Sequence, residues 1–167
     1  MIISNANNRR CANNSDGISE GAQCQSAPPK ISLKDKAALL LQKSQAKELR
    51  KNLKSAGEDD AKGCAAHHIV PKNENRDWAK DDAKDARDML DSCGIDIDDA
   101  INGVYLPFNK DAECEGANHR RLHTKAYYGE VAKRLLKAAL GDCGEVENQL
   151  SKIKSELRQN TFIGGVH

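Results

Sequence analysis

Aromatic residues are scarce in this 167-residue chain, 4% in all with a single tryptophan, and the hydrophobic fraction is a low 38% against 31% charged residues. Such a composition excludes a large apolar core and suits a small, helix-rich domain with some weakly ordered chain. No apolar run approaches the length needed to cross a bilayer, so no membrane partner is expected. The opening MIISNANNRR lacks a basic start followed by an apolar stretch, so it is not a secretory signal peptide. The net charge of +1 neither supports nor excludes a nucleic-acid partner. None of the six cysteines forms a C-x-x-C pair, which argues against a four-cysteine zinc site. The pairing among Cys11, Cys24, Cys64, Cys93, Cys114 and Cys143 stays open; buried thiols with one or two bridges are expected, and no chemistry is assigned to them.

What is present divides into four stretches, with no internal repeat. Residues 1–30, rich in Asn, Ser, Gly and Gln and closed by Pro28-Pro29, read as an arm or linker. Residues 31–60 carry a helix that opens at a Ser32 cap and stops near Gly57. Residues 61–141 hold a short AAHHIV strand, a helix over Asp81–Ser92 ending at Gly94, and an Asn102-Gly103 turn into a second strand at 104–107. A long helix is predicted from about Asn118 to Leu140. Residues 142–167 add a last helix and a tail, with His167 read as inert.

Histidine is concentrated in this third stretch. CAAHHIVPK (Cys64 to Lys72) sets His67 beside His68, and neighbours on a strand point to opposite faces. His119 and His123 stand four apart on the predicted helix, a spacing that offers two imidazoles to one metal ion. Arg120 occupies the place where a zinc peptidase of the His-Glu-x-x-His type has its glutamate, so that activity is excluded. Zinc deaminase chemistry fails as well, because His-x-Glu and Pro-Cys-x-x-Cys are both missing. From His119 to Leu140 six Lys and Arg residues face a single Glu130. Arg120, Arg121 and Lys125 are the candidates for phosphate contacts, and the more distant cations read as a solvated face. Tyr127 falls one turn after His123 and is in reach of the site; Tyr128 is expected to pack, and Trp78 to sit in the core.

Taken in order, AAHHIVP, GIDIDDAINGVYLP and HRRLHTKAYYGEV resemble the AHH branch of the HNH/endonuclease VII superfamily of ββα-metal nucleases. The likeness covers roughly Lys62 to Leu140, with 1–60 and 142–167 outside it. It implies an α+β, mostly helical fold, in which a treble-clef-like ββα-metal core with two antiparallel strands is surrounded by helices. It implies His67, His119 and His123 as metal ligands, His68 as general base, and Asn102 as the residue pinning the base loop. The cofactor is then one divalent ion, Mg, Mn, Ni or Zn.

The activity implied is metal-dependent, non-sequence-specific DNA cleavage by an antibacterial toxin module. A cognate immunity protein and a larger toxin or secretion carrier are the expected partners. Delivery would follow a specialised route that needs no signal peptide, with action in the target-cell cytoplasm. Two rivals are kept: the same nuclease acting on RNA, and a nucleic-acid-binding module whose metal is structural, with Cys64 or Cys114 as a fourth ligand.

Overall fold

The computed structural model describes residues 46–74 and 76–164. The arm, the start of the first helix, Cys11, Cys24 and His167 lie outside them. Helix α1 is described over 46–55, followed by β1 (Cys64–His68), α2 (Lys80–Ser92), β2 (Gly103–Pro107), α3 (Lys125–Ala139) and α4 (Cys143–Arg158). Short 3₁₀ turns cover Ala100–Asn102, His119–Arg121 and Phe162–Gly164. The fold is α+β and mostly helical, built around one antiparallel two-stranded sheet.

A two-stranded ribbon is marginal in water unless both faces are covered. Here Cys64 pairs with Pro107, His67 with Val104 and His68 with Gly103. Side chains alternate, so Cys64, Ala66 and Tyr105 meet Leu49 and Leu53 of α1 on one face. Val104 and Leu106 enter the larger core on the other. Gly103 permits the close approach of α1, because a Cβ there would lie 2.5 Å from the Leu49 Cδ1.

The larger core comes from helical stripes. Val146, Leu150, Ile153 and Leu157 of α4, at spacings of four, three and four, are all fully buried. They pack in one cluster with Tyr127, Val131 and Leu135 of α3. Burying each such side chain contributes about 1.5–3 kcal/mol. The small Ala83 and Ala86 let α2 lie close against α3, and Gly94 at φ +68° ends α2 as its sequence position predicts.

Two disulfides close the architecture. Cys64–Cys114 ties the start of β1 to the loop beyond β2, and Cys93–Cys143 ties the end of α2 to the start of α4. Each spans 50 residues of sequence, a loop length for which chain-entropy reasoning gives about 4 kcal/mol of stabilisation. Because Cys64 and Cys114 are joined to each other, neither offers a thiolate to a metal.

Candidate metal centre

The alternation of β1 separates the paired histidines. His67 is only 2% exposed and points to the α3 side, whereas His68 lies on the α1 side and stays partly open. Three imidazoles then meet. Ring centroids lie 5.0 Å apart for His67 and His119, 5.5 Å for His67 and His123, and 5.3 Å for His119 and His123. One nitrogen from each falls within 4.8 Å of the other two.

The backbone reaches this arrangement differently from the predicted helix over 118–140. His119 belongs to a 3₁₀ turn, His123 lies between that turn and α3, and α3 starts only at Lys125. Two capping residues impose the break. The Asn118 side chain accepts from the Arg120 N–H, and the Thr124 hydroxyl accepts from the Tyr127 N–H with Thr124 in extended backbone. The two histidines converge from a turn and not from one helical face.

Hydrogen bonds around the cluster set the tautomers. Tyr127 donates its hydroxyl to the Ile69 carbonyl at 3.1 Å, so it accepts from the His67 Nε2–H at 2.9 Å and leaves Nδ1 as a lone pair. His123 Nδ1 lies 2.6 Å from the Tyr128 hydroxyl; with Nδ1–H donating to that oxygen, Nε2 is the lone pair left for an ion. His119 Nδ1 is buried with no hydrogen-bond partner. An orphaned buried nitrogen is costly, and a metal ion is the partner that three converging imidazoles suit.

The protonation states agree. Burial first, then the neighbouring imidazoles, hold His67 well below the ordinary histidine value, and the same causes bring His119 down to about 4. His123 is lowered by burial and by the Arg76 charge, against a smaller opposing pull from Glu74. All three are neutral at pH 7, as ligands must be.

His68 has different company. Its Nε2 lies 2.8 Å from Asp98 Oδ1, and Lys72 pairs with the other Asp98 oxygen. Burial raises Asp98, but hydrogen bonds from Lys72 and His68 outweigh it and keep the group a carboxylate. A carboxylate only accepts, so the His68 proton is on Nε2 and Nδ1 is bare. Burial lowers the His68 value and Asp98 pulls it back up, with the net shift downward. Asn102 is fully buried: it accepts from the Val70 N–H at 2.8 Å and donates to the carbonyls of Val70 and Ile97. It thus clamps the chain just beyond His68 to the segment that carries Asp98.

The remaining candidates are more scattered. Arg120 is exposed, with its guanidinium over the Phe108 ring, itself 5.7 Å from the His119 ring. Arg121 and Lys125 are exposed, and among the described residues no side-chain ion pair holds them. Lys133 and Arg134 are engaged with Glu130, and Arg134 also with Glu156, away from the histidines. Tyr128 packs as expected yet also bonds His123. Trp78 departs from the core expectation and is 40% exposed, because the turn before α2 places it at the surface over Arg76.

Sequence reasoning missed Asp98, Lys72, Glu74 and Arg76. Asp98 is hidden among similar neighbours: Asp96 accepts from the Asp98 N–H and Asp99 caps the next turn, so only the folded chain shows which carboxylate meets His68. Arg76 and Glu74 form a bidentate pair, and Arg76 also donates to the Tyr128 hydroxyl and to the His123 carbonyl. No periodicity announces such a loop.

No curated protein and no solved structure matches this chain. The AHH family model does, over residues 48–162. That span takes in α1 from residue 48 and all of α4, both beyond the segment where the motifs lie, and these helices cover the two faces of the sheet that carries the histidines. With most of its length matched, the chain belongs to AHH, a nuclease family of the HNH/ENDO VII superfamily with conserved AHH.

Proposed function

We propose that this nuclease is a metal-dependent endonuclease that hydrolyses DNA without sequence preference, with His67, His119 and His123 as ligands and His68 as general base. The observation that carries the reading is the three-imidazole cluster with its orphaned His119 Nδ1, one residue along β1 from a histidine of opposite orientation. A divalent ion on three neutral imidazoles keeps its full charge and open coordination positions, and so supplies stabilisation for charge developing on a phosphate.

The chain's own groups do the rest. His68 Nδ1 takes the proton of the attacking water while Asp98 accepts the Nε2–H and stabilises the imidazolium that forms. Asn102 holds the base loop in register. Tyr127 and Tyr128 orient the ligand rings. Arg120, Arg121 and Lys125 place the phosphate backbone. A donor set of imidazoles alone suits Zn, Ni or Mn, and Mg from the medium is the fourth candidate. The bridged Cys64–Cys114 pair counts against the rival with a thiol-closed structural metal. The resemblance to polymorphic-toxin nucleases supports an antibacterial role, delivery by a specialised secretion route, and a cognate immunity protein as partner.

Plasmid cleavage with and without chelator, adding Mg, Mn, Ni and Zn in turn beside a parallel RNA sample, tests the reading. Chelator-sensitive nicking of DNA is expected. Chelator-resistant cleavage, or cleavage of RNA alone, would overturn metal dependence or the substrate respectively.

A further inference from the structure

The sole tryptophan stands at the edge of the metal centre, open to solvent. The Arg76 guanidinium lies over the Trp78 ring, 4.5 Å from its centroid, and the Tyr128 ring is 6.1 Å away. Tyr128 in turn is 6.2 Å from the His123 ring. Trp78 is therefore two ring-to-ring steps from a candidate ligand. On the opposite flank, Arg120 over Phe108 adjoins His119. An arginine–aromatic pair thus stands near His123 and another near His119; Trp78 is 40% exposed, whereas Phe108 is half-buried.

The charges around Trp78 indicate what it binds. Arg76 is already paired with Glu74, so it is not a free clamp for phosphate. Asp77 projects into solvent with Lys80 paired to it at 3.2 Å, and Asp81 and Asp82 occupy the first turn of α2. Arg76 and Lys80 are both engaged by carboxylates, so neither is free to hold a phosphate backbone here. A part-exposed indole, with a cation over its ring and a second ring beside it, suits the face of an unpaired base.

We propose that Trp78, backed by Arg76, is a base-stacking subsite for an unpaired nucleobase near the scissile phosphate, giving the enzyme a preference for single-stranded or locally opened substrate. The inference rests on the nuclease reading of the histidine cluster. Its test, however, needs no turnover. With one tryptophan in the chain, intrinsic fluorescence reports on this position alone.

Chelator-treated full-length protein is titrated with a short single-stranded oligonucleotide and with a duplex of equal length. Stacking predicts strong quenching by the single strand and little by the duplex. In anisotropy titrations Trp78→Leu loses roughly 5- to 100-fold in single-strand affinity, whereas Trp78→Phe retains most of it. Because Trp78 is at the surface, both variants should melt close to the parent, which thermal unfolding verifies. Binding or cleavage of single strands with unchanged tryptophan emission, or a Leu variant that binds as well as the parent, overturns the subsite and leaves the nuclease reading standing. A parent that neither binds nor cleaves any nucleic acid defeats both together.

Discussion

Two carboxylate–cation pairs stand behind the histidines, and they act at different removes. Asp98, paired with Lys72, touches His68 directly through Nε2. Glu74, paired with Arg76, makes no hydrogen bond to the His123 ring; the pair is linked to it through the Tyr128 hydroxyl and the His123 backbone carbonyl, and by charge at a distance. The first pair bears on a histidine with a bare nitrogen turned away from its carboxylate. The second holds the loop between β1 and α2 against α3. From this difference the Asp98 pair should matter for rate and the Glu74 pair for stability.

The largest effect concerns the histidines themselves. Under the proposed roles, His68→Ala lowers cleavage on the order of 10²–10⁴-fold while metal affinity, followed by calorimetry, stays near the parent's. His119→Ala loses metal affinity and cleavage together. A His68→Ala protein as active as the parent would remove the base assignment, and one that no longer binds metal would place His68 among the ligands.

Asp98 comes next. Asp98→Ala frees the His68 ring to turn and costs roughly 10- to 100-fold in kcat with little change in KM. Asp98→Asn keeps an acceptor for the Nε2–H but not the charge, so it should fall between Ala and the parent. Equal losses in Asn and Ala would indicate that charge alone matters. If neither substitution alters the rate, the proposed direct coupling of this pair to the base is wrong.

Much of this was legible in the residue order, because the signals are local. Alternation along a strand places His67 and His68 on opposite faces, and Asn102-Gly103 marks the entry to β2. The last helix was placed within residues 142–167, and α4 runs Cys143–Arg158. Less legible were features set by competition or by long-range contact. Helix periodicity runs unbroken through His119 to Leu140, yet Asn118 and Thr124 win the backbone as caps and divide it. The disulfide partners are 50 residues apart, beyond any local pattern. Asp98 is one of several neighbouring aspartates, and its role depends on where Asn102 draws the chain.

The smallest effect tests the other side of the comparison through pH. Hydrogen bonding to Arg76, opposed by burial, lowers Glu74 from 4.5 to about 2. A depressed carboxylate stabilises the fold fully above its unfolded value and loses that contribution as pH falls from about 4.5 through about 2. With the Arg76 side chain 42% exposed and its charge partly screened, the contribution near neutrality is about 2 kcal/mol. Glu74→Gln should therefore unfold at lower denaturant than the parent at pH 7, with the gap closing steadily below pH 4.5. Cleavage measured well below the melting temperature should change only a few-fold, since Tyr128 still bonds His123. A Glu74→Gln protein as stable as the parent at pH 7 but far less active would reverse the comparison, making this pair part of the reaction and not of the frame that holds it.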